Sequence, residues 1–162
     1  MVQRDPLWTQ FQRLTADRIF KAAIAGLSGS IAHSLLMYLK FEAGLLPSFQ
    51  PYDNLQKTLS GLTGTAVHPV VPWIISFLNG STIVGFIFGF AYRWLPGRTG
   101  AIKGLIYGVL GWAIMGLIFF PLIGLGLFAF GAELSIFPAL FSLAMLLTYS
   151  IVMGTVYGAL KT

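Results

Sequence analysis

The sequence predicts an all-α membrane protein, a four-transmembrane-helix bundle with short amphipathic interfacial helices. Of its 162 residues, 56% are hydrophobic and only 9% are charged, and the mean hydropathy is +0.80. Soluble domains are about 45–50% apolar and about 25% charged. Four stretches of about 20 mostly apolar residues are each long enough to cross the hydrocarbon core of a bilayer. Because no stretch alternates in polarity as a barrel strand would, we expect helices.

The N-terminal segment, residues 1–18, is predicted to be an amphipathic helix on the cytoplasmic face of the membrane. Leu7, Trp8, Phe11 and Leu14 recur at helical spacing among arginines, a pattern typical of interfacial helices. A partly ordered tail is the alternative. The segment does not resemble a signal peptide, since no apolar core with a small-residue cleavage site follows it.

Residues 19–162 are predicted to form a single transmembrane domain. Its spans are expected at residues 19–39, 72–94, 101–123 and 137–160. The tight turn LPGRTG should make the second and third spans antiparallel neighbours. In the first long loop, PYDNLQKTLSGLTG has leucines at helical spacing between a proline and a glycine, which predicts a short helix on the outer surface. Residues 124–136 are too short to cross and should lie at the interface or on top of the bundle.

Basic residues predict the orientation. Eight of the ten flank the spans on one side: Arg4, Arg13, Arg18, Lys21, Arg93, Arg98, Lys103 and Lys161. The other side has Lys40 and Lys57, together with Glu42, Asp53 and Glu133. The positive-inside rule then places both termini in the cytoplasm, with the chain in a bacterial inner membrane. Since the basic residues flank apolar segments, the net charge of +5 does not indicate a nucleic-acid partner.

Two pairs of segments resemble each other and indicate tandem helical hairpins with the same orientation. KAAIAGLSG, residues 21–29, aligns with KGLIYGVLG, residues 103–111, and VGFIFGFAY aligns with MGTVYGALK. Chance similarity among the 19 glycines is the alternative. Small residues let membrane helices approach closely. The glycines predicted to pack helices are Gly26, Gly29, Gly85, Gly89, Gly104, Gly108, Gly111, Gly154 and Gly158.

His33 is the single histidine inside a predicted span, on the face of the packing glycines. An ionisable group at this depth is a functional candidate, here for haem, quinone or a proton. The alternative is a structural histidine bonded to a carbonyl or a serine, and the repeat aligns it with Met115.

Ser76, Asn79 and Thr82 make the second span partly polar. We expect interhelical hydrogen bonds from them, or else a path for a small solute. No acidic residue lies clearly within a span, which disfavours a proton pump.

No enzyme signature is present. The chain has no cysteine, and it has no nucleotide-binding loop, catalytic triad or metal-spaced carboxylates. We therefore expect neither an enzyme nor a metal site.

The chain resembles a family of uncharacterised bacterial four-span membrane proteins over about residues 20–160. The resemblance is carried by the glycine-rich start of the first span, by LPGRTGAIKGLIYG, by WAIMGLIFFPLIGLGLFAFG and by the closing GTVYG. Relatives often carry histidines where this chain has Ser76 and Ser150, so no histidine-based role is carried over. The resemblance implies the fold and no activity.

The sequence as a whole favours a non-catalytic membrane protein, an accessory or assembly subunit of a larger respiratory or photosynthetic complex. Membrane lipids and other integral membrane subunits are the expected partners. No bound cofactor is required, although Phe86, Phe88 and Phe90 cannot all face one interior and would suit contacts with lipid, quinone or pigment. The alternatives are a small-solute transporter or channel that works as an oligomer, and a subunit that binds haem or quinone through His33.

Overall fold

The computed structural model describes residues 7–132 and 136–161. It contains four helices long and apolar enough to cross a membrane. This confirms the predicted all-α, four-span architecture, and no strand occurs among the described residues. We name the spans in chain order, from span 1 to span 4, as Thr15–Glu42, Val70–Ala91, Gly100–Leu122 and Phe137–Lys161.

Span 1 belongs to a longer helix, Leu7–Glu42, which runs without a break. The predicted N-terminal segment therefore continues directly into the span from residue 7 onward. Span 2 begins two residues before its predicted start and ends three residues before its predicted end. Arg4 and Glu133, which enter the charge argument, lie outside the described residues.

Spans 2 and 3 each contain a π-helical turn, at Gly80–Val84 and at Met115–Phe119. In span 2, the backbone N–H of Gly85 donates to the carbonyl oxygen of Gly80 across the widened turn. Nothing in the sequence signals either turn, because a π turn uses ordinary helical residues and depends on tertiary contacts.

Span 4 is the central helix of the bundle. It packs closely against span 1 on one side and against span 3 on the other, and span 1 packs in turn against span 2. The predicted neighbours, spans 2 and 3, meet through long side chains. The Tyr107 hydroxyl donates to the carbonyl oxygen of Val84 over 3.0 Å, and its ring contacts Phe88 with centroids 5.1 Å apart.

Two connections close one end of the bundle, which we call the loop-helix end. A short helix, Pro51–Thr63, is present in the first long loop. The Lys40 ammonium anchors the chain before it by donating to the carbonyl oxygen of Phe49 over 2.7 Å. A segment of 3-10 turns, Leu127–Ala132, follows span 3 and is kinked at Phe128 and Ala129, which have positive φ angles. The Phe128 ring lies tilted against the Trp112 ring, with centroids 4.8 Å apart. The opposite end, with residues 92–99, is called the turn end below.

Candidate functional site

The crossing of spans 1 and 2 is built on backbone contacts between small residues. A Cβ added at Gly26 would lie 2.6 Å from the carbonyl oxygen of Ser81. A Cβ at Gly85 would lie 2.9 Å from the carbonyl oxygen of Ala22, and one at Gly89 would lie 2.8 Å from the Ala22 methyl. These distances leave no room for a side chain where the two helices cross.

The crossing of spans 3 and 4 repeats this arrangement. A Cβ at Gly104 would overlap the carbonyl oxygen of Ser150, and one at Gly154 would overlap that of Gly100. Gly158 also lies against Gly100, with its Cβ position 3.2 Å from the Gly100 Cα. Gly100 was not among the residues singled out from the sequence, although its spacing from Gly104 and Gly108 continues the same small-residue pattern.

The two crossings share one register. The contact of Gly26 with Ser81 in the first hairpin corresponds to the contact of Gly104 with Ser150 in the second. In the same way, the contact of Gly85 with Ala22 corresponds to that of Gly154 with Gly100. Gly26 is thus equivalent to Gly104, so the sequence alignment that matched it with Gly108 is wrong by one helical turn. The glycine-rich background hides this shift, because glycines recur every turn. The matched register supports two tandem hairpins.

The remaining predicted packing glycines differ in how tightly they are enclosed. A Cβ at Gly29 would lie 2.8 Å from the carbonyl oxygen of Tyr149, between spans 1 and 4. One at Gly108 would lie 3.0 Å from the Ser150 side chain. One at Gly111 would meet only Leu146, at an ordinary contact distance of 3.5 Å.

His33 lies in a polar cluster between span 1 and the loop helix. Its Nε2 is 3.4 Å from the Tyr52 hydroxyl, which donates to Ser76 Oγ over 3.1 Å. The Tyr149 ring stands edge-on to the imidazole, with centroids 6.5 Å apart. In the observed register, the position equivalent to His33 is occupied by Gly111, and the predicted match to Met115 is wrong.

Tyr52 is the member of this cluster that sequence analysis missed. Its ring packs on Trp73 with centroids 4.5 Å apart. Burial raises the pKa of its hydroxyl, and the hydrogen bond with Ser76 partly offsets that rise. The cluster contains hydroxyls and one imidazole but no carboxylate, and no group of three metal-ligating side chains occurs among the described residues. Such a set can exchange hydrogen bonds, and it links the loop helix to spans 1 and 2.

The three polar residues of span 2 lie on two sides of the helix. Ser76 belongs to the Tyr52 cluster. Asn79 and Thr82 are exposed on the outer face of the span. The Thr82 hydroxyl donates to the carbonyl oxygen of Leu78 in its own helix over 2.6 Å. For the Asn79 amide, the described part of the chain supplies no hydrogen-bond partner.

The comparisons with known proteins identify the chain at the level of a family. The model of a family of unknown function, DUF6789, matches residues 16–162. The chain therefore belongs to this family, and the matched region covers all of the four spans except Thr15, the first residue of span 1. No curated protein and no solved structure matches the chain significantly.

Proposed function

We propose that this protein is a non-catalytic accessory or assembly subunit of a larger complex in the inner membrane, with both termini in the cytoplasm. It acts through lateral contacts between helices. The observation that carries the proposal is Asn79, whose amide is exposed on the outer face of span 2 and has no partner among the described residues. It is the tenth of the span's 22 residues, close to the middle.

An exposed amide near the middle of a membrane span is expected to form a hydrogen bond with a neighbouring helix. In hydrocarbon, an unsatisfied polar group costs several kcal/mol, and amide side chains of membrane helices form hydrogen bonds across helices. The residues around Asn79 are exposed and apolar, with Ile75 at 42%, Leu78 at 53% and Ile83 at 58% of full exposure. A helix laid on this face would bury these side chains and pair with the amide.

The interior of the bundle supports a structural role more than transport. Bulky side chains fill the space between the spans: Phe88 and Met153 are fully buried, and Tyr149 and Tyr157 are nearly so. Asn79 faces away from this interior. A solute path along the polar residues of span 2 therefore does not run through a single copy of the chain.

The test is extraction in mild detergent, native separation and mass spectrometry of the co-migrating proteins, on the wild type and two variants. Asn79→Leu removes the unpaired amide. Thr82→Val is the matched control, because the Thr82 hydroxyl is already satisfied within its own helix. We expect the wild type and Thr82→Val to migrate in a large assembly and Asn79→Leu to be released from it.

Migration of the wild type as a monomer would overturn the proposal. An assembly that Asn79→Leu leaves intact would overturn it too. Migration as a homo-oligomer would also overturn the subunit assignment, and it would favour the oligomeric transporter, for which flux into proteoliposomes is the next measurement.

A further inference from the structure

A cavity of about 490 Å³ lies at the turn end of the bundle, between the start of span 3 and the end of span 4. Sites for small ligands commonly have volumes of about 300–1,000 Å³. Arg98 and Lys161 line it from the two sides, and Thr99 and Thr155 add hydroxyl groups. The floor is made of small residues, among them Gly100, Ala101, Gly158 and Ala159.

The charge around the cavity is positive and uncompensated by nearby acids in the described chain. After Asp53, the sequence contains a single acidic residue, Glu133, and the cavity is formed by residues between 92 and 101 and between 155 and 161. Asp17 pairs with Lys21 in its own helix at 2.9 Å. The cationic groups at the cavity therefore lack a carboxylate among its lining residues.

The Tyr92 ring contacts the ammonium groups of Lys161, which lines the cavity, and of Lys103, which lies beside it. Lys103 Nζ lies 4.5 Å from the ring centroid and Lys161 Nζ lies 4.9 Å from it. Lys103 also donates to the carbonyl oxygen of Tyr92 over 2.7 Å. Cation–π contacts of this kind fix flexible lysines against an aromatic wall, so the positive charge stays beside the cavity.

We propose that this cavity binds the phosphodiester headgroup of an anionic lipid. Arg98 and Lys161 contact the phosphate oxygens, with the planar guanidinium of Arg98 suited to two parallel hydrogen bonds. Basic pockets between membrane helices recognise anionic headgroups in this way.

A lipid fits this place better than a soluble anion because apolar surface continues below the cavity. Ile102 and Leu105 follow Ala101 into the membrane and are 47% and 43% exposed, so acyl chains can lie along span 3 while the headgroup fills the cavity. Trp94 is 68% exposed, and Arg93 stacks on it at 4.1 Å. An exposed tryptophan with a basic neighbour is typical of the headgroup level of a bilayer.

The test measures lipid binding by the purified chain with native mass spectrometry in defined mixtures. The probes are dioleoyl phosphatidylglycerol and dioleoyl phosphatidylcholine, which differ in headgroup and share acyl chains. The variants are Arg98→Gln, Lys161→Gln and the double variant. Arg98 and Lys161 are both exposed, so we expect all variants to fold, as checked by circular dichroism and gel filtration.

We expect preferential binding of phosphatidylglycerol, weakened about fivefold by each substitution and about 30-fold by both. Arg93→Gln at the same end and Lys57→Gln at the opposite end remove the same charge outside the cavity and should leave the preference nearly unchanged. An equal loss in Arg93→Gln would show diffuse attraction and overturn the proposal.

Inorganic phosphate, tested alone by thermal shift, separates the two sources of a phosphate group. No stabilisation by phosphate, with stabilisation by phosphatidylglycerol, supports the lipid. Equal stabilisation by both that depends on Arg98 and Lys161 would overturn the lipid assignment in favour of a soluble phosphate.

Discussion

Two equivalent helix pairs join the first hairpin to the second: spans 1 and 4, and spans 3 and 2. The first pair is in close contact, which we call the closed contact, and the second pair is held further apart, which we call the open contact. Between spans 1 and 4, Gly29 lets the Tyr149 ring and backbone come close. In the equivalent position between spans 3 and 2 stands Tyr107, whose bulk separates the helices and whose hydroxyl reaches across to Val84. Gly29 and Tyr107 occupy equivalent positions, and their difference in size explains why spans 1 and 4 are close together and spans 3 and 2 are not.

The consequence is a difference between spans 2 and 4. In the most apolar window of span 4, 39% of the residues are buried, against 17% in span 2. In the observed register Asn79 is equivalent to Thr148, whose hydroxyl is satisfied by Ala144 of its own helix at 2.9 Å. The same scaffold therefore uses span 4 to hold the bundle together and leaves span 2 a polar group on its outer face.

We expect the largest loss of stability from substituting the glycines at which the two helices of one hairpin cross. Gly104→Ala places a methyl against the Ser150 backbone, and Gly26→Ala places one against the Ser81 backbone. We expect each variant to lose about 2–3 kcal/mol of unfolding free energy, since a backbone oxygen cannot move aside as a side chain can. Unfolding in sodium dodecyl sulfate measures the loss. Gly111→Ala, with ordinary contacts only, is the control and should change stability by less than about 0.5 kcal/mol.

The closed contact is broken by Gly29→Ala. The added methyl would meet the carbonyl oxygen and ring of Tyr149, so we expect a loss of about 2 kcal/mol and wider separation of spans 1 and 4. Spin labels on the two helices would report the distance. Unchanged stability and distance would mean that Gly29 does not set the closed contact.

Two tyrosine hydroxyls of the second hairpin donate hydrogen bonds to span 2, one from span 4 and one from span 3. Tyr149→Phe removes a hydrogen bond of 2.5 Å to the carbonyl oxygen of Gly80, and Tyr107→Phe removes one of 3.0 Å to Val84. We expect losses of about 1 kcal/mol and about 0.5 kcal/mol, respectively, in the same unfolding assay. The reverse order would mean that the shorter of the two hydrogen bonds is not the stronger one.

We expect the smallest change in stability from Asn79→Thr, which places in span 2 the residue type found at the equivalent position of span 4, Thr148. Because the side chain of Asn79 is exposed, the stability of the isolated chain should change by less than about 0.5 kcal/mol. A loss of 1 kcal/mol or more would reveal a partner for the amide within the chain, and the lateral-contact proposal would lose its support.

Hydropathy was sufficient to predict the four spans, and most boundaries fall within a few residues of the observed ones. It could not rank the helices by burial, because spans 1, 3 and 4 are apolar on most sides and carry little amphipathic signal. For the same reason, the outward direction of Asn79 and the role of Tyr107 emerged only from the packing. The register of the repeat was hidden by glycines one turn apart, while Tyr52 gave no signal because its loop is distant in sequence from His33.

The central position of span 4 has a consequence for biosynthesis. Spans 1 and 2 can pair as soon as both have left the translocon, but span 3 finds its close partner only in span 4, the last of the four to be made. Until span 4 is inserted, Gly100 and Gly104 of span 3 lack the contacts that they make with span 4. The arrival of span 4 then joins span 3 to the first hairpin in one step, because span 4 packs against both span 1 and span 3.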